Sequence, residues 1–450
     1  MSETLDDEIG ATTGDTRRRA HIRQVVIVFA VLIPGLALRI GGFHAPDPLA
    51  ALLFGVAIVG AAFVLSWAAE VAQLDISAGL AISLLALIAV LPEYAVDLVF
   101  ALTGGHAVTE FGPACQSVQD KLAGRNSPCS LALANMTGGN RLLIGIGWSL
   151  VVFVGWRASK RSKNHRETKE VRLERSHSVE IAFLTLACCF SLSLPLFHSI
   201  SMFQGAVLVS IFVLYTIRVS RAPAEVPHLV GPAEWMGTFP TTRRRATVVA
   251  LFVVAAGVIL LCAEHFAESL VATGRQTGID EFLLVQWLAP LASEAPELLI
   301  AGLYAWRLNA STGLGALVSS KVNQWTLLVG TLPVAFAIAS GSLHGLPIIA
   351  EQRDELFLTA AQSIFAVAVL ASLSLSLKEA GMLFGLFMAQ FLAGAVVTDK
   401  NLHAHFLIAF GAVYLVLAAI LLVRERSNMA RLLKDGFRTP YRELTSAEEL

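Results

Sequence analysis

Twelve stretches of this 450-residue chain stay apolar for about the twenty residues a helix needs to cross a bilayer. They lie near 22–40, 48–72, 77–104, 130–156, 178–197, 200–218, 246–270, 281–306, 312–340, 355–376, 379–398 and 402–423. With 55% hydrophobic and only 15% charged residues, the chain has far more apolar surface than one soluble core hides. In lipid every backbone polar group must be satisfied within the chain. The expected fold is therefore all-α and integral to the membrane, with about 12 transmembrane helices.

The net charge of −1 conceals an uneven distribution. Arg17-Arg18-Arg19 precedes the first stretch, eight Lys or Arg lie between Arg157 and Arg175, five Arg between Arg218 and Arg245, and six Lys or Arg between Arg424 and Arg442. Counted along twelve spans, all four groups fall on one side, which the positive-inside rule assigns to the cytoplasm. Both termini are then cytoplasmic. Residues 1–16 are polar and acidic, with no apolar core of a signal peptide, and read as a disordered tail. Cys188, Cys189 and Cys262 sit in apolar stretches and read as small buried hydrophobes. Cys115 and Cys129 bracket a polar loop on the expected outer side, where a disulfide is plausible.

Against this background, charged residues inside the spans stand out, because each costs about 2.5 to 3.5 kcal/mol at a helix centre. Two segments concentrate them. Leu91-Pro92-Glu93, after Ala89-Val90, is followed by Asn135-Met136-Thr137-Gly138-Gly139-Asn140; Ser293-Glu294-Ala295-Pro296-Glu297 is followed by Gly315-Ala316-Leu317-Val318-Ser319-Ser320-Lys321. Upstream, Trp67-Ala68-Ala69-Glu70 matches Leu261-Cys262-Ala263-Glu264. The span count places the two copies in opposite membrane orientations, the pattern of an inverted repeat with a site at its midplane. Proline in a membrane helix frees a carbonyl. Beside a glutamate, that offers oxygen ligands to a hard cation such as Na+ or Ca2+. Small residues at Gly138-Gly139 and Ser319-Ser320 allow close helix approach.

These motifs resemble those of the sodium/calcium exchanger superfamily, the calcium:cation antiporters. In that family, a Thr-Ser-x-Pro-Glu type motif and a Gly-Asn-x-x-Gly-Ser-Asn type motif occur in each of two inverted five-helix repeats. The resemblance implies a ten-helix core spanning about 46–218 and 246–398. A cytoplasmic linker at 219–245, extra helices at 21–45 and 399–424, and cytoplasmic tails at 1–20 and 425–450 complete the chain. It also implies cation antiport by alternating access, with Glu93 and Glu297 as central ligands and Asn140 as a lesser one. Two departures matter: Ser293-Glu294 adds a carboxylate, and Lys321 stands where the motif has its last Asn. With Glu93, Glu294, Glu297 and Lys321 all ionised, three carboxylates and one ammonium sum to −2. Lys321 is expected to pair with Glu294 or Glu297, and proton coupling becomes the favoured mode.

Na+ or Ca2+ exchanged against H+ or another cation is thus the expected function, in the plasma membrane, with inorganic cations, protons and lipid as partners and no cofactor. Transport of an organic anion, with Lys321 as counter-charge, is the alternative. No nucleotide loop, zinc helix or nucleophile elbow is present in a suitable context, so an enzyme is not expected. Among lesser candidates, Asp97 shares a helix face with Glu93 and either supports the ligands from behind or pairs with Arg141, pairing being the expected role. Glu70 and Glu264 either line access paths or snorkel, His265 either relays protons or is hydrated, and Asn323 and Gln324 are candidate ligands.

Overall fold

A computed structural model describes residues 2–75, 91–112, 115–123, 125–162, 168–222, 229–397 and 399–445. Its principal helices are α1 (Ser2–Gly41), α2 (Asp47–Ala72), α3 (Leu91–Phe111), α4 (Pro128–Arg161), α5 (Arg175–Leu196), α6 (Met202–Val219) and α7 (Thr241–Thr277). They continue with α8 (Glu281–Trp306), α9 (Ala310–Ser340), α10 (Ala350–Ser372), α11 (Leu377–Val396), α12 (Lys400–Arg424) and α13 (Arg426–Phe437). This is an all-α, multi-span membrane fold.

Among the described residues nine helices are long and apolar enough to cross a membrane, rather than the twelve read from the sequence. α3, α8 and α11 lie where spans were expected at 77–104, 281–306 and 379–398, yet are not among the nine. Polar residues dilute them: Glu93 and Asp97 in α3, Glu281, Glu294 and Glu297 in α8, and Lys378, Glu379 and Gln390 in α11. Residues 77–90, with Ala89 and Val90 of the first motif, lie outside the described residues, as do parts of the 157–177 loop and of the 219–245 linker. One expectation is corrected. Cys189, expected to be buried, is exposed, about 100° around its helix from the buried Cys188.

The two halves of the chain pass through matching elements. Six-residue Leu143–Trp148 in α4 and five-residue Gln324–Leu328 in α9 are both π-helical, the kind of bulge often found at functional sites. Capping boxes open α6, through Ser201 and Gln204, and α11, through Ser376 and Glu379. Strand Glu170–Arg172, before α5, pairs antiparallel with Ser374–Ser376, before α11. Conversely, Ser199–Ile200, before α6, pairs antiparallel with Leu346–Pro347, before α10. Each pairing thus ties one half of the chain to the other.

Packing sets α2 along α7, α3 against α4 and the second half of α9, and α4 across α8. Beyond α3, Cys115 and Cys129 form a disulfide that joins the loop to the first turn of α4. The bond closes a 14-residue separation, and both cysteines are buried. Replacing Cys115 with Ser is expected to cost about 3 kcal/mol, the loop-closure value for a loop of this size. Thermal unfolding of detergent-purified protein checks it, and an unchanged midpoint in the variant would exclude a stabilising role.

After α12, helix α13 folds back on α5. Asp435 takes two bonds from Arg175, at 2.8 and 2.9 Å, and Phe437 meets Phe183 edge to face. Arg218 donates to the carbonyls of Gly436, Asp435 and Thr439, and its guanidinium lies 5.0 Å from the Tyr441 ring. The Arg175 bonds hold the Asp435 carboxyl below the usual carboxylate range. A carboxyl depressed in this way contributes stability above its unfolded value, near pH 4, and loses it as the pH falls through the folded value. Tail docking is therefore expected to be full at neutral pH and to loosen only in acid. Hydrogen exchange of residues 426–445 reads this, and Asp435→Asn should loosen the tail at neutral pH and flatten its acid dependence.

Candidate functional site

The site grows from the crossing of α4 and α8. Pro290 has no N–H, so the Gln286 carbonyl one turn earlier loses its helical partner. Gly138 packs on that carbonyl so closely that a Cβ at 138 would stand 1.6 Å from its oxygen. Its neighbour Gly139 meets Glu294, and a Cβ there would lie 2.5 Å from Oε1. Two residues without side chains thus let α4 carry Asn140 up to the acidic turn of α8.

Three carboxylates converge from α3 and α8, near enough for their charges to interact. Glu93 is 2% exposed and Glu294 fully buried. Both carboxylate oxygens of Glu93 and both of Glu297 are buried and accept no hydrogen bond of normal geometry, although Ser320 Oγ lies close enough to Glu297 to interact with it. Glu294 accepts from Gln324 Nε2 at 2.7 Å through Oε1, and its Oε2 has no partner. Ser320 Oγ and Gln324 Oε1 are likewise buried without a hydrogen bond. Among the described residues, no three His, Cys, Asp or Glu side chains form a metal-holding group by themselves. A cation here would draw on the neutral Ser320 and Gln324 oxygens as well as on carboxylates. That mixed set of oxygens suits Ca2+, which takes six to eight.

Lys321 is fully buried, and its ammonium does not pair with Glu294 or Glu297 as expected. It donates to Asn140 Oδ1 at 2.6 Å and to the Asn140 backbone carbonyl. The Asn140 amide nitrogen is taken by the Met136 carbonyl at 2.9 Å, which leaves Oδ1 facing the lysine. Asn140 and Lys321 each stand three residues before a π-helical turn, in α4 and α9.

Asp97 also departs from expectation: it accepts from Asn135 Nδ2 at 2.7 Å, and Arg141 pairs elsewhere. Arg141 meets Glu355 of α10 at 2.6 Å, with side chains 2% and 6% exposed, and its guanidinium lies 5.0 Å from the Trp287 ring. Glu355 also accepts from Gln286 Nε2 at 3.1 Å and lies 3.7 Å from His403 Nε2. The sequence reading missed Glu355 because it opens its span and looked like an end charge. The available signal was Arg141 itself, since a mid-span arginine demands a partner. Elsewhere, Glu70 accepts from the Val230 N–H at 2.8 Å, Glu264 is exposed, His265 lies 3.2 Å from Glu268, and Asn323 is buried.

The profile of the family described as sodium/calcium exchanger protein matches residues 48–221 and 247–394. The chain belongs to this family. It is a secondary active cation antiporter and not an enzyme. A solved H+/Ca2+ exchanger, CAX, is 39% identical to this exchanger, with a TM-score of 0.82 over 95% of this chain and 99% of that one. Native YfkE is 15% identical, with a TM-score of 0.56 over 82% of this chain and 100% of that one. Selenium-substituted YfkE, described as a Ca2+/H+ antiporter protein, is 14% identical, with a TM-score of 0.57 over 82% of this chain and 99% of that one. The YfkE likeness concerns the fold alone. No curated protein matches the exchanger.

Proposed function

We propose that the exchanger moves Ca2+ against protons by alternating access, at a site formed by Glu93 and Glu297 with oxygens of Glu294, Ser320 and Gln324. One observation carries this reading: four buried oxygens on Glu93 and Glu297 have no hydrogen-bond partner. Two uncompensated carboxylates cannot both stay ionised in a buried site, because desolvation and mutual repulsion act together. A divalent cation or two protons neutralise them equally well, which is the requirement for exchanging one for the other. Support for Ca2+ and H+ as the pair comes from the 39% identical H+/Ca2+ exchanger. Support for a cation over an organic anion comes from Lys321, whose ammonium is engaged by Asn140.

The architecture proposed for it has twelve spans, two inverted five-helix repeats and both termini on the cytoplasmic side of the cell membrane. The exchanged strand pairings, the matched π turns and the matched capping boxes support the repeats. The basic segments and the Cys115–Cys129 disulfide, on opposite sides of that topology, support the orientation. In proteoliposomes of purified protein, an imposed pH gradient should drive Ca2+ uptake without Na+. Absence of Ca2+ movement under gradients of either sign would refute the reading.

A further inference from the structure

We propose that Lys321 is a built-in monovalent cation, which fills one half of the site permanently and so excludes Na+ from exchange. This rests on the reading of the site as one for cations. Lys321 and Asn140 hold equivalent places in the two halves, each three residues before a π-helical turn. Asn140 contributes a side-chain oxygen and a backbone oxygen, and both are spent on the lysine ammonium. Both are neutral oxygens, the kind of group that would form part of the shell of a desolvated monovalent cation. The ammonium also lies within electrostatic reach of Glu294, whose Oε1 stands beside Gly139, next to Asn140. A covalently held positive charge thus offsets the additional carboxylate of α8. Glu93 and Glu297 are left as the only pair of the four whose charge needs an exchanged cation.

The tether has a selectivity consequence. A free Na+ approaching the Asn140 oxygens meets a fixed like charge already bound there, at a cost that a cation arriving at Glu93 and Glu297 does not pay in the same measure. Removing the charge while leaving an amide in its place, by Lys321→Asn, gives both halves the same residue and frees two oxygens and Glu294 for Na+.

The test is Ca2+ flux in proteoliposomes driven by a pH gradient, with Na+ or K+ as the bulk monovalent ion. Wild-type flux should be the same in both. Lys321→Asn should become sensitive to Na+, with apparent Ca2+ affinity lowered by about tenfold in Na+ relative to K+, the change given by about 1.4 kcal/mol of competition. A variant that carries Ca2+ but stays indifferent to Na+ would overturn the proposal. So would wild-type flux that Na+ inhibits or drives, and this measurement decides the matter if the variant does not fold. Wild-type protein that moves no cation at all would instead remove the reading of the site on which the proposal stands.

Discussion

Glu93→Gln and Glu297→Gln should each lower Ca2+ flux by about 100-fold or more, since even supporting groups around a metal commonly cost 10- to 100-fold. Glutamine keeps the size of the side chain and removes its charge, so the helix crossing is preserved. Because neither carboxylate accepts a hydrogen bond of normal geometry and both lose a buried charge, thermal stability should stay level or rise. This combination separates a transport role from a structural one. Purified variants with wild-type unfolding midpoints and wild-type flux would remove both residues from the site; destabilised variants would make them structural.

The opposite pattern is expected at Arg141 and Glu355. Their ion pair, 2.6 Å long and nearly inaccessible, joins α4 to α10, with Gln286 of α8 and His403 of α12 on the same carboxylate. Truncating one member strands a buried charge, and Glu355→Ala should cost about 3 to 5 kcal/mol. Removing both charges, with Arg141→Met and Glu355→Leu together, should recover much of that loss, because a well-packed apolar pair escapes the desolvation cost. Thermal unfolding of the two single variants and the double variant measures the coupling. Additive losses would show that the pair does not act as a unit.

The Pro-Glu copies were legible because charge inside an apolar stretch is expensive and its repetition along one chain has few causes. Glu93, Glu294, Glu297 and Lys321 could be named from the sequence on that basis, and Asn140 through the family resemblance. Their pairing could not. Lys321 went to Asn140 rather than to a carboxylate, Asp97 to Asn135, and Arg141 to Glu355, each choice turning on which side chains face one another across helices far apart in sequence. The same limit applies to Gly138: close approach was foreseen, but its reason, the Gln286 carbonyl one turn before Pro290 lying against it, depends on how two helices cross.

By itself, the sequence determined the membrane class and the family resemblance, since each follows from composition or from short motifs that act locally. Only the tertiary structure decided that four carboxylate oxygens stay unpaired, that the lysine is engaged, and that the α13 tail closes back onto α5 through Asp435 and Arg175. Hydrophobicity sums along a chain and can be read in one dimension. A partner for a buried charge is a matter of ångströms and of direction, and it exists only once the helices have packed.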